Sequence, residues 1–235
     1  MAIECQTVGG SCVAVFAKPP QPGRVKTRLA GALGEVAAAE LQRAFLADLL
    51  ERLATTGRAV RLLWALEPGE EAPVAPVPGL AQEGEDLGDR MLAASRALAR
   101  EFDPVLGLGA DLPDLPLGRL AEAEAALAGG ADAVFGPATD GGFYLFGLGP
   151  RARRPELFAG VPWGGERVLA EVLARARRLG LSVRLLAVAA DVDRPEDLEP
   201  LARRLVAARG AGCPRTVEAL FRHGLAAGAE APCAS

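Results

Sequence analysis

Lys18, Arg24, Lys26 and Arg28 fall within one short stretch, VFAKPPQPGRVKTRLAG (15–31), that contains no acid. Cations held this close repel one another, so the stretch asks for a compensating anion. A phosphate chain suits it, because Arg24 and Arg28 offer bidentate forks while Lys18 and Lys26 act as point charges. The alternative is a solvated basic loop. Against that alternative stand the position directly behind an apolar run and the shaping of the backbone by Pro19, Pro20, Pro22 and Gly23. The local charge is also opposite in sign to the chain's net charge of -4. The stretch is neither a Walker A loop nor a dinucleotide fingerprint, since G-x-x-x-x-G-K-[ST] is absent and no G-x-G-x-x-G follows a strand.

Three further clusters place acids and glycines behind apolar runs. In GLGADLPDLP (107–116), Asp111 sits where a carboxylate can meet a phosphate-bound cation, and Asp114 is placed to cap a helix starting near Leu117. In GPATDGGFYLFGL (136–148), Asp140-Gly141-Gly142 signals a turn, either a plain hairpin or part of a site. In DVDRPEDL (191–198), Asp193 reads as a helix cap with Glu196 three positions on. The pair Asp191 and Asp193 also suggests a second carboxylate for a metal, and the two roles are compatible. Zinc has almost nothing to bind, because the one histidine, His223, lies in the tail as a surface residue and the cysteines form no cluster. Carboxylates combined with substrate phosphates suit Mg²⁺, with Mn²⁺ as a substitute. A single histidine also argues against a Ser-His-Asp triad. Catalysis would then rest on positioning and charge stabilisation, without a covalent enzyme intermediate.

These residues need a scaffold that puts loops side by side. The spacing predicts strands over 12–17, 59–66, 104–109, 131–136, 142–148 and 182–188, and helices over 35–54, 87–100, 117–128, 165–179 and 194–208. The Pro-rich stretch 67–80 reads as an extended loop. Alternating strands and helices imply an α/β fold with a mostly parallel sheet covered on both faces, which binds ligands at the carboxyl ends of its strands. The organisation is an N-terminal extension (1–11), one domain (12–208) and a C-terminal tail (209–235) carrying one candidate helix, TVEALFRHGLAAG. With 235 residues, 50% hydrophobic and 24% charged, the chain has the size and balance of one large globular domain. The acidic balance argues against nucleic-acid binding. No apolar run reaches the roughly 20 residues of a membrane span. MAIECQTVGG lacks the basic and apolar regions of a signal peptide. Cys5, Cys12, Cys213 and Cys233 read as free thiols of a cytoplasmic protein.

FAKPPQPGRVKTRLAG, QEGEDLGDRM, GLGADLPDLP, FGPATDGGFYLFGL, VPWGGERVL and DVDRPEDL occur in the order seen in the radical-SAM/selenodomain-associated transferases. That family lies in the nucleotide-diphospho-sugar transferase (GT-A) superfamily, and the resemblance covers about residues 12 to 208. The chain also resembles, more distantly, 2-phospho-lactate guanylyltransferase and molybdenum-cofactor guanylyltransferase. Its VDRPEDL ending is similar to that of sugar-nucleotide cytidylyltransferases. The resemblance implies a single Rossmann-like GT-A domain whose opening loop, with Lys18, Gly23, Arg24, Lys26, Thr27 and Arg28, holds a nucleotide. It implies that Gln82, Asp86, Gly88 and Arg90 line the nucleotide pocket and that Asp111 and Asp193 hold the metal. Asp140, Gly141, Gly142, Tyr144 and Trp163 would face the acceptor.

Two reactions fit these residues. In nucleotidyl transfer, a small phosphorylated acceptor attacks the α-phosphorus of an NTP and pyrophosphate leaves against Lys18, Lys26, Arg28 and the metal at Asp111. In glycosyl transfer, an NDP-sugar gives its sugar to an acceptor and the NDP leaves against the same groups. Four cations exceed what a diphosphate needs, which favours the NTP. A non-catalytic nucleotide-binding module is the third reading, opposed by the presence of both Asp111 and Asp193. A methyltransferase reading of GLGAD would place the glycines at the wrong strand and leave the basic loop idle. Base, acceptor identity and oligomeric state are not encoded in any of these motifs.

Overall fold

The computed structural model describes residues 9–210 and 212–225. Seven strands form one sheet in the order β3-β2-β1-β4-β6-β5-β7. They are β1 (Cys12–Ala17), β2 (Ala59–Trp64), β3 (Gly79–Ala81), β4 (Val105–Gly109), β5 (Ala133–Pro137), β6 (Phe143–Leu148) and β7 (Val183–Leu185). The helices are α1 (Thr27–Leu33), α2 (Glu35–Ala54), α3 (Leu87–Leu98), α4 (Gly118–Ala128), α5 (Val168–Arg178), α6 (Pro195–Ala207) and α7 (Pro214–Arg222). All strand pairings are parallel except those of β6, which runs antiparallel to both β4 and β5.

Both sheet faces are covered, which explains why CVAVFA is apolar throughout and does not alternate. Val13, Val15 and Ala17 pack under Leu46, Leu49 and Leu53 of α2, in a layer that also takes in α4. Cys12 and Ala14 point the other way, toward Leu98 of α3. On that second face, α3 and α5 also cover Phe135, Phe146 and Leu148. A separate apolar cluster joins α1, α2, α6 and α7 through Leu29, Leu41, Phe45, Leu201, Val217 and Leu220. Because α2 lies between the sheet and α7, it is buried nearly all round.

Two elements depart from the expected pattern. The cationic stretch contains helix α1 and is not loop throughout, and the Pro-rich stretch ends in β3, paired along the edge of β2. The short β3 escapes the proline restriction because Pro78 precedes it and its carbonyl accepts from Leu62. The tail helix runs over Pro214–Arg222, where Asp48, fully buried on α2, accepts from the backbone N–H groups of Arg215 and Thr216. Residues 226–235, including Cys233, and residues 1–8, including Cys5, lie outside the described part. His223 is mostly buried, its Nε2 lying 2.9 Å from Glu40 Oε2, so it is not the plain surface residue expected. Among the described residues, no helix is long and apolar enough to cross a membrane.

Inserting β6 between β4 and β5 requires a close approach at one point. Gly107 lies directly across from Phe146, and a Cβ on residue 107 would come within 2.0 Å of that ring. The ring takes the place of the missing side chain. Gly107→Ala should therefore lower unfolding stability by about 1–3 kcal/mol, the usual cost of overpacking a core. Equilibrium denaturant unfolding of variant and parent measures it.

Candidate functional site

The loops behind β1, β4 and β6's partner strand meet along one cleft at the carboxyl ends of the parallel strands, where α/β folds bind ligands. Its larger part is a cavity of about 540 Å³ walled by Lys18, Arg24, Lys26, Thr27, Gln82 and Arg90 among others. A smaller cavity of about 220 Å³ adjoins it, with Asp140, Gly142, Trp163 and Asp191 in its wall. Asp111, Phe143 and Tyr144 border both. Asp193 borders the larger one.

The cationic stretch carries its own compensation, drawn from distant acids. Arg24 is held 2.7 Å from Glu70 and 3.5 Å from Glu67, both in the Pro-rich loop. That contact, helped by the Glu67 backbone N–H, holds the Glu70 carboxyl below the usual carboxylate range. Lys26 Nζ lies 2.6 Å from Asp111 Oδ1 and donates to the Val192 carbonyl at 2.5 Å. Arg28 reaches Asp193 Oδ2 at 2.6 Å. Of the four cations, only Lys18 makes no ion pair among the described residues. Part of the anionic compensation that the stretch calls for is therefore internal, since folding brings acids that the local sequence omits.

Lys26 is held in the left-handed backbone region, φ 48°, ψ 43°, where a non-glycine residue costs about 1–2 kcal/mol. The turn drives its side chain inward, leaving it 2% exposed, and starts α1 at Thr27. Thr27 and Arg28 are exposed on that first turn. Gly23 has φ 77° and does not border either cavity.

Several residues expected around the nucleotide have structural tasks. Gln82 borders the larger cavity, yet its amide donates to the Leu63 carbonyl at 2.8 Å and ties the ends of β2 and β3 together. Asp86 caps α3, accepting from the Asp89 backbone N–H at 2.9 Å. Gly88 lets α3 approach Phe158 and Trp163, where a Cβ would fall within 2.7 Å of either side chain. Arg90 donates to the Gly84 carbonyl and borders the larger cavity.

Asp114 and Asp193 are not the caps that their spacing suggested. Asp114 pairs with Arg204 at 2.6 Å, and α4 begins without a side-chain cap. At α6 the acceptor is Asp197, which takes the backbone N–H groups of Asp193 and Arg194, and Glu196 is not involved. The helix starts one residue later than a cap at Asp193 would require, with Arg194 in the cap position and Pro195 as its first residue. The Asp193 carboxylate is thereby free to meet Arg28.

The Asp140 turn is a hairpin between β5 and β6, and it is also docked. Asp140 Oδ1 accepts from the Gly142 N–H at 2.8 Å, while the Gly141 carbonyl accepts from Leu169 at the start of α5. Gly141 has φ 89°, and a Cβ there would collide with the Glu166 carbonyl at 1.8 Å. Tyr144 is buried, donates to the Ala187 carbonyl at 3.1 Å, and burial raises its phenol above the ordinary range. The Trp163 indole N–H is buried and unpartnered.

Gln42, which sequence reasoning passed over, and Asp191 complete the walls. Gln42 is 4% exposed on α2 with its Oε1 unpartnered. Its signal was a polar residue at helical spacing from Ala38, Ala39, Phe45 and Leu46, on the apolar side of α2. Asp191 was weighed only as a companion of Asp193. It faces Asp140 and Asp111, and burial first, then repulsion from those acids, pushes its carboxyl up to about 6 against the weaker pull of Lys26. Among the described residues, no lysine or arginine borders the smaller cavity.

A metal held by protein alone is not built here, since no three His, Cys, Asp or Glu side chains converge among the described residues. Asp111 and Asp193, on adjoining segments joined by the Val192 N–H and the Asp111 carbonyl, are hard oxygen donors that border the larger cavity and fit a metal taking the rest of its ligands from phosphates and water.

Because the folded-state pKa of Asp191 is raised, the folded chain binds more protons than the unfolded one between about pH 4 and 6, and stability falls as pH rises through that window. Asp191→Asn should raise the thermal midpoint above the parent's at neutral pH. The gain should shrink as the pH drops, vanishing by about pH 4. Melting curves of both proteins across the range check the sign.

The comparisons agree with this architecture. A crystal structure from Desulfovibrio desulfuricans G20, provisionally assigned as a nucleotide-diphospho-sugar transferase, is 33% identical over 92% of this chain and 96% of its own, with a TM-score of 0.80. A cytidylyltransferase from Leptospira borgpetersenii serovar Hardjo-bovis (strain JB197) shares the fold at 14% identity, covering 94% of this chain and 98% of that one, with a TM-score of 0.55. The Mycobacterium tuberculosis rv0371c homolog from Mycobacterium sp. strain JC1 shares it at 16% identity, 84% and 98% coverage, and a TM-score of 0.54. No curated protein matches. Residues 49–165 match the model of the family described as "Uncharacterized protein conserved in bacteria (DUF2064)". The sheet order, the near-complete overlap with the Desulfovibrio protein and this match together show that the chain belongs to the DUF2064 family, built on a nucleotide-diphospho-sugar transferase fold.

Proposed function

We propose that the chain is a metal-dependent transferase acting on a nucleotide, and that its reaction is nucleotidyl transfer from an NTP to a small acceptor with release of pyrophosphate. The observation that carries this reading is the cleft's division into a cationic part and an acidic part that share Asp111. The narrower placement among radical-SAM/selenodomain-associated transferases rests on the motif resemblance. A cytoplasmic setting is supported by Cys12 and Cys213, which are buried and unpaired.

In this reading the nucleotide phosphates lie along the larger cavity, met by Lys18 and by Arg28 once it turns from Asp193. Asp111 and Asp193 would hold Mg²⁺ or Mn²⁺. Such an ion, when bound, neutralises charge on the phosphate oxygens and orients the leaving group. The acceptor enters from the smaller cavity, flanked by Asp140, Gly142, Tyr144 and Trp163, with Gly141 fixing the hairpin that carries them. Its oxygen forms the new bond to the α-phosphorus as the bond to the bridging oxygen breaks. The electron pair leaves with pyrophosphate toward the cationic wall, where Lys18 stabilises it, joined by Arg28 from its place beside Asp193 just outside the cavity lining.

One observation favours a second reading, glycosyl transfer from an NDP-sugar. The smaller cavity joins carboxylates to aromatic side chains without a cation, which suits sugar hydroxyls better than an acceptor phosphate. Internal pairing of Arg24, Lys26 and Arg28 also removes the excess of cations that favoured a triphosphate.

A thermal-shift panel of NTPs, NDPs and NDP-sugars, with and without Mg²⁺, separates the readings. A ligand at a hundredfold excess over its Kd stabilises the fold by about 2.7 kcal/mol. Nucleotidyl transfer predicts that one NTP with Mg²⁺ shifts the melt more than the matching NDP or NDP-sugar. An NDP-sugar that matches or exceeds the NTP, followed by NDP release with an acceptor, moves the assignment to glycosyl transfer. No shift with any nucleotide sinks both.

A further inference from the structure

The two ion pairs that join the cationic stretch to Asp111 and Asp193 differ in kind. The Arg28 and Asp193 side chains are 50% and 35% exposed, so water can replace either partner. The Lys26 side chain is 2% exposed and is engaged twice, by Asp111 Oδ1 and by the Val192 carbonyl. The Phe45 ring centroid lies 5.8 Å from its ammonium. The Val192 N–H donates back to the Asp111 carbonyl at 3.1 Å, closing a ring of contacts around the charge. An ammonium has three donors, and two of these are used inside the protein. Withdrawing it toward a substrate would leave the buried Val192 carbonyl without its partner, a larger loss than opening the exposed pair. Asp111 is different again. Its side chain is 47% exposed, and among the described residues only Oδ1 has a side-chain partner.

From this we propose that Lys26 is a positioning residue and not a phosphate ligand. It stays paired throughout turnover, holds Asp111 by one oxygen so that the other faces the cleft, and locks the segment before α6 against the loop after β4. Arg28 is the cation that exchanges its carboxylate for phosphate. The proposal rests on the metal-and-nucleotide reading of the cleft, and it assigns opposite effects to two cations that the sequence presents as equals.

Two probes without turnover test it. Mn²⁺ alone, followed by the resonance signal of the free ion, reads the Asp111 carboxylate. Inorganic tripolyphosphate in EDTA, followed by calorimetry, reads the phosphate wall. Lys26→Met removes a fixed positive charge beside Asp111, so Mn²⁺ should bind about tenfold more tightly than to the parent, while tripolyphosphate affinity stays unchanged. Arg28→Met should weaken tripolyphosphate binding. Adding Asp111→Asn to Lys26→Met should abolish the gain in Mn²⁺ affinity. Loss of tripolyphosphate binding in Lys26→Met, or Mn²⁺ affinity that does not rise, overturns the proposal. A parent that binds Mn²⁺ but no tripolyphosphate would instead count against the nucleotide reading, and the Mn²⁺ comparison would still decide the role of Lys26. Should Lys26→Met fail to fold, the double variant with Asp111→Asn removes both charges and should recover a cooperative melt, and failure to recover it overturns the proposal.

Discussion

Three segments far apart in sequence, the turn before α1, the loop after β4 and the strand-like run before α6, converge on the Lys26 ammonium because a buried positive charge must find acceptors. Asp111 and the Val192 carbonyl supply them. The requirement reaches into the backbone, since Lys26 adopts a left-handed conformation to bring its side chain inward. Strain of this sort persists only where surrounding contacts over-determine it. Here those contacts are α1 packing by Leu29 into the cluster with α2 and α6, and the carbonyl of Lys26 accepting from Ala30 in the first turn. The same contact sets part of the larger cavity's wall, where Lys26 and Asp111 both stand.

Charge is distributed along the cleft so that neither part is left uncompensated. The larger cavity collects cations from the stretch after β1, and carboxylates from three other segments balance them. The smaller cavity collects acids. Asp191 shows the consequence, because burial and its acidic neighbours make its charged form costly. Such a layout has an unmet demand on each side, for anion at Lys18 and for cation or hydroxyl donor near Asp140 and Asp191. An enzyme that brings a phosphate chain and a second substrate together at one carboxylate would need that asymmetry.

Backbone proximity matters as much as charge. The antiparallel β6 fits into the sheet because Gly107 leaves room for Phe146, and Gly136 leaves room for Tyr144 in the same way. Through β6 the Asp140 hairpin is held against α5, and a bare backbone at Gly141 permits the contact. The smaller cavity thus depends on glycines in β4, in β5 and in the hairpin that joins β5 to β6.

Most of this architecture could be read from the chain. Apolar runs and helical periodicity identified six strands and five long helices near their observed bounds, because both faces of a parallel sheet must be buried and that need is written into local composition. Helix α1 and strand β3 escaped, the first hidden among prolines and cations and held by tertiary contact at Leu29, the second too short to have a pattern. Placement of the chemistry-bearing loops also followed from the alternation, since each of them trails a strand. What the chain could not reveal by itself was pairing. A cationic stretch without a local acid looked uncompensated, yet Glu70, Asp111 and Asp193 reach it across 46, 85 and 165 positions. Capping was misread for a related reason, because Asp114 and Asp193 have partners that lie far from their own helices. Local sequence determines which elements form and where their loops emerge. Which charge meets which is decided only when the folded chain removes water from between them, because the interaction depends on distance and burial and not on separation along the chain.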